Sequence, residues 1–101
     1  MKANDKLKAI QLLIKEHLEE ISGKDTSPLD KELSYSMIQD EIYTMVKYYN
    51  GLQDKQQRKS ALSILMKVQD ELFDYLAHVN YWDKNILDLY KLLVSTIYNI
   101  D

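Results

Sequence analysis

The stretch 54–79, DKQQRKSALSILMKVQDELFDYLAHV, decides the fold. It contains neither Gly nor Pro, so nothing in it interrupts a helix. Leu62, Leu65, Leu72, Leu76 and Val79 recur at alternating three- and four-residue steps, with Gln69 in the one polar slot. That spacing is a heptad-like seam. Ala61, Val68, Phe73 and Tyr75 broaden the seam, which suits a helix packed in a bundle better than one strand of an isolated coil. Asp54 stands as N-cap, and Gln57 three residues on completes a capping-box pattern. The uninterrupted length predicts the longest helix of the chain.

On its C-terminal side, Asn80-Tyr81-Trp82-Asp83 breaks the pattern, and Asp83 is placed to cap a fourth helix. That helix carries Ile86, Leu87, Tyr90, Leu93, Val94, Ile97 and Ile100 and runs almost to the last residue. On the N-terminal side, Asn50-Gly51 stops a second helix spanning about 28 to 49. Ser27 caps its start, Pro28 suits the first helical position, and Asp30 favours the positive end of the dipole. Its expected inward stripe is Leu29, Leu33, Met37, Ile38, Ile42, Met45, Val46 and Tyr49. The first helix begins after Asn4 as N-cap, and its inward face is Leu7, Ile10, Ile14, Leu18 and Ile21, widened by Leu13. Ser22-Gly23 ends it, with Gly23 expected in the left-handed conformation, and Lys24-Asp25-Thr26 forms a polar loop. Connections of roughly three to six residues between long helices force antiparallel neighbours. The expected fold is therefore all-α, an antiparallel up-down-up-down four-helix bundle, with 1–101 as one domain.

Composition agrees with this and removes several functional classes. A chain of 101 residues suffices for one domain, and 46% hydrophobic with 29% charged residues is globular rather than disordered. With no Cys, disulfide scaffolds, thiolate metal sites and cysteine nucleophiles are excluded. The opening Met1-Lys2-Ala3-Asn4-Asp5-Lys6 is polar and leads into no apolar run of roughly 18–20 residues, so the expected location is the cytoplasm. A net charge of −3 and a pI near 5.3 argue against a nucleic-acid partner, which calls for a basic patch.

No catalytic constellation emerges. A di-metal bundle needs Glu-x-x-His motifs on two helices. Here His17 precedes Glu20, and the position three before His78 is Tyr75. Asp40-Glu41 and Asp70-Glu71 with Asp74 read as solvated faces with partners such as Lys67 and Glu71 at i,i+4. Ser60, Ser63 and Ser95 lie in expected helices without a Gly-x-Ser-x-Gly elbow, and the two glycines are isolated, so no phosphate loop exists. The reading is a protein that is not an enzyme, with no cofactor, metal or small-molecule substrate. Two surface features stand out. Lys55, Arg58 and Lys59 open the third helix, where cations oppose the dipole at about a few tenths of a kcal/mol each. They either meet an anionic partner or lipid headgroup, or pair with acids of a neighbouring helix. Eight Tyr and one Trp stand against a single Phe. Tyr81-Trp82 falls in the turn between the last two helices, where Trp82 either closes the end of the core or meets a partner. Tyr75 and Tyr90 are expected to be buried with their hydroxyls in water.

The arrangement resembles the immunity proteins of pediocin-like (class IIa) bacteriocins, the enterocin A immunity family. The resemblance covers nearly the whole chain and rests on length, mixed polar faces, absent Cys and the relative helix lengths. Its closest local match runs from Ala61-Leu62 to Leu76, with Asp74-Tyr75-Leu76 leading to a short aromatic turn, Asp83-Lys84-Asn85-Ile86 and a closing Leu-rich helix. The resemblance implies a cytoplasmic protein, in part membrane-associated, that protects a Gram-positive producer cell from pore formation. The implied partner is the membrane receptor of the mannose phosphotransferase system with bacteriocin bound, met from the cytoplasmic side with peripheral membrane contact. Recognition in the family is attributed to the C-terminal half, a region that here contains Tyr81, Trp82, Lys84, Lys91 and Tyr98. Some members carry a C-terminal tail that affects specificity, whereas this sequence ends at Asp101. The partner-binding candidates are thus Lys55, Arg58, Lys59, Tyr81, Trp82, Lys84, Lys91 and Tyr98. The competing reading is a small helical regulatory or antitoxin-like interaction module, for which Met37, Met45 and Met66 would supply an adaptable surface.

Overall fold

The computed structural model describes residues 3–23 and 25–98. It has four helices: α1 (Ala3–Ser22), α2 (Pro28–Gly51), α3 (Lys55–His78) and α4 (Lys84–Tyr98). Ile100, expected in the last helix, lies outside the described residues. Three of the four expected caps form. The Ser27 hydroxyl accepts from Asp30 N at 3.2 Å, Asp54 from Gln56 N and Gln57 N, and Asp83 from Ile86 N at 3.2 Å. Asn4 instead falls within the first turn of α1.

The glycines behave differently from expectation. No described Gly has positive φ. Gly23 serves by lacking a side chain, since a Cβ there would stand 2.7 Å from Thr26 Oγ1. Gly51 does not stop α2 but forms its last residue, and the helix closes at Leu52, whose N–H donates to Tyr49 O. That extension makes α2 24 residues long, equal to α3, so α3 is not the single longest helix.

Side-chain pairs give the directions. Glu20 meets Ser34, His17 meets Glu41 and Lys6 lies over the Tyr48 ring, so α1 and α2 run antiparallel. Gln11 reaches Glu71, and Ser22 shares a crevice with Tyr75, so α1 and α3 run parallel. Tyr75 meets Asp83 and Phe73 meets Tyr90, which sets α3 against α4. The chain is an antiparallel up-down-up-down four-helix bundle. Its cross-section is a rhombus in the ring order α1, α2, α4, α3. α2 and α3 touch across the short diagonal, while no Cα of α4 comes within 8 Å of one in α1. The Cα envelope, 43 × 30 × 17 Å, is correspondingly flat.

All four helices feed one core, centred on fully buried Leu7, Ile14, Ile38, Ile42, Met45, Leu65, Val68, Leu72, Leu76, Ile86 and Leu93. Ile64, Leu89 and Ser34 also turn inward, beyond the expected stripes. Leu13, Leu29, Leu33, Met37 and Phe73, expected inside, are exposed. The reason is rotational. On α2, the rows 29-33-37 and 34-38-42 lie about 100° apart, and the core takes one of them. Ser34 donates to Glu20 at 2.6 Å, and that bond holds the 34-38-42 row against α1.

Truncating the core should cost far more than truncating the unused row. Leu72→Ala should lower unfolding free energy by about 2–5 kcal/mol. Leu33→Ala should stay within about 0.5 kcal/mol. Urea unfolding of the two variants, followed by far-UV circular dichroism, checks the contrast.

Candidate functional site

The most elaborate polar structure lies where α2, α3 and α4 meet. Asp83 caps α4 through one oxygen and with the other accepts the hydroxyls of both Tyr35 (2.5 Å) and Tyr75 (2.6 Å), which are themselves 3.2 Å apart. Tyr35 comes from α2 and Tyr75 from α3, so one carboxylate ties three helices. Burial, followed by the bond to Asp83, raises the pKa of both phenols. Each phenol is therefore a protonated donor at neutral pH. Tyr75 is buried as expected, but its hydroxyl goes to Asp83 rather than to water.

This junction sets the turn that follows α3. Tyr81 N donates to Leu76 O at 2.8 Å and Asn80 N to Ala77 O, the paired bonds of a Schellman motif with Asn80 as its left-handed residue. Asn80 has φ 55° and Tyr81 φ 63°. A left-handed Asn is ordinary, but a left-handed Tyr is rare and costs on the order of 1–3 kcal/mol. Its ring meets Phe73 edge-on at 6.2 Å, and Phe73 in turn meets Tyr90 at 6.0 Å. The turn thus throws Trp82 outward. Trp82 is 86% exposed, which rules out its closing the core. Exposed Lys84 and Lys91 follow on α4.

The structure does not gather the remaining candidates here. Lys55, Arg58 and Lys59 open α3, and a helix of 24 residues separates them from the aromatic turn by about 35 Å. Arg58 has a structural task. It donates to Tyr49 O and Leu52 O at 3.3 and 2.8 Å, and its guanidinium lies 4.6 Å from the Tyr49 ring centroid. It supplies the cation that the last turn of α2 lacks. Its partners are thus carbonyls and a ring, not acids of a neighbouring helix. Lys55 and Lys59 are exposed. Tyr98, 54% exposed, ends α4 well away from the turn.

Two carboxylates expected in solvent are half-buried. Glu71 accepts from Gln11 Nε2 across the α1/α3 interface, and its other oxygen is buried without a partner among the described residues. Burial raises its pKa. Glu41 is raised by burial too, opposed by its 3.1 Å contact with His17. His17 thus pairs across to α2. Beside Tyr35, a crevice of about 330 Å³ between α2 and α4 is lined by Glu32, Ser36, Gln39, Tyr43, Asn85, Asp88 and Leu89. Among the described residues, no three His, Asp or Glu side chains are placed to hold a metal ion, and no helix is long and apolar enough to cross a membrane.

Sequence reasoning reached Asp83 as a cap and Trp82 as a contact candidate. It missed Tyr35, which lies 48 positions from its acceptor with no local signal joining them. The fold is that of a small all-helical bundle with an exposed aromatic turn. No family model, curated protein or solved structure matches the chain.

Removing the junction should cost more than removing either donor. Tyr75→Phe should cost about 1 kcal/mol. Asp83→Ala loses the cap and orphans two hydroxyls, and should cost about 2–4 kcal/mol. Thermal or urea unfolding measures both. Glu71 holds its proton more tightly folded than unfolded. Its ionisation therefore destabilises the fold as pH rises from the unfolded carboxylate range upward. Glu71→Gln should accordingly gain stability relative to wild type as pH rises above the unfolded carboxylate range, and a pH-independent difference would refute the assignment.

Proposed function

We propose that the chain is a non-enzymatic immunity protein of the class IIa bacteriocin type. It acts by binding, from the cytoplasmic side, the mannose phosphotransferase receptor carrying bacteriocin. The observation that carries this reading is the turn 80–82. Two consecutive left-handed residues, one of them a Tyr, hold the sole Trp of the chain at 86% exposure. Backbone strain of this kind persists only where surrounding structure enforces it, and it clusters at working sites. An exposed Trp is also the side chain most enriched at binding hot spots. The turn lies in the half of the chain to which the family resemblance assigns recognition. Lys84 and Lys91 add charge beside it, whereas Arg58, engaged with α2, drops out of the contact set.

The test is protection of living cells. A sensitive Gram-positive host expressing the chain should resist one or a few class IIa bacteriocins in a panel. Trp82→Ala should keep its helicity and expression level while losing at least tenfold in protection. Unchanged sensitivity across a broad panel, at verified soluble expression, would overturn the immunity reading. Full protection by Trp82→Ala would instead remove the turn from the site.

A further inference from the structure

The α1/α2 face carries an apolar row that the bundle does not use. Leu29, Leu33 and Met37 follow each other at four-residue steps and are 65%, 51% and 48% exposed. Leu33 and Met37 line a groove of about 540 Å³ between the end of α1 and the start of α2. Its polar border is acidic. Glu20 and Asp30 line it, Glu20 accepting from Ser34, and His17 lines it too, its ring 3.1 Å from Glu41. No Lys or Arg among the described residues lines it.

We infer that this groove is a docking site for a cationic amphipathic helix of a partner protein or peptide. An aliphatic row at i,i+4,i+8 spacing, beside a groove, takes the apolar stripe of a second helix. Carboxylates on its border select lysine or arginine flanking that stripe and repel acidic flanks. The same border argues against the other occupants. A second copy would bring its own acids against these, and an anionic membrane surface would present phosphates to them. The site is separate from the aromatic turn, so it stands or falls apart from the immunity reading.

An 18-residue helical peptide of Leu and Lys, and its Leu/Glu counterpart, are suitable probes. They are titrated into the isotopically labelled full chain and followed by amide chemical shifts. The Leu/Lys peptide should move amides within 13–20 and 29–41, and raising salt should weaken it. The double variant Leu33→Ser with Met37→Ser keeps every charge and alters only exposed side chains. It should bind at least tenfold more weakly, with unchanged circular dichroism. Equal affinity in the double variant, or shifts centred on 80–91, would overturn the proposal. So would equal binding of the Leu/Glu peptide. Sedimentation showing a dimer that the double variant abolishes would assign the face to a second copy instead. Loss of anionic-vesicle binding in that variant would assign it to a membrane.

Discussion

The carboxylate of Asp83 is the constraint on which the rest of the molecule turns. It begins α4, receives a hydroxyl from α2 and another from α3, and so decides where the fourth helix leaves the bundle. Burying a carboxylate costs less when donors meet its oxygens, and three donors meet those of Asp83. Because both phenols have raised pKa values, the junction keeps its donors at neutral pH. The strained turn is placed between two fixed points, the Schellman closure of α3 and the cap of α4. Trp82 has no inward direction left to take.

The same logic of satisfied polar groups runs through the interfaces. Ser34 and Gln11 are buried, and each bonds to a carboxylate of another helix, Glu20 and Glu71 respectively. These bonds add little net stability, but they select one helix rotation among several that would bury similar apolar area. The selection has a consequence at the surface. Once Ser34 is held inward, Leu29, Leu33 and Met37 must face out. The rhombic cross-section leaves that row uncovered, because α4 packs on the other side of α2. Arg58 shows the converse case. A cation that looks unfavourable at the start of α3 is favourable at the end of α2, 4.6 Å from the Tyr49 ring centroid.

The sequence alone determined the elements and their order. Breakers at 22–28, 50–54 and 80–83, caps at Ser27, Asp54 and Asp83, and apolar steps of three and four residues suffice for four helices in up-down order, because these signals are local. It also marked Trp82, since a turn makes few demands on an aromatic side chain. The tertiary structure decided what local signals cannot. On α2 the strip Leu29, Leu33, Met37 adjoins the strip Ile38, Ile42, Met45, Val46, and the packed bundle buried only the second. Asn80 and Tyr81, rather than either Gly, took the left-handed positions because the closure of α3 and the Phe73 ring required it there. Tyr35 lies 40 and 48 residues from Tyr75 and Asp83 along the chain, and their meeting depends on how helices stack, which no spacing within one helix encodes.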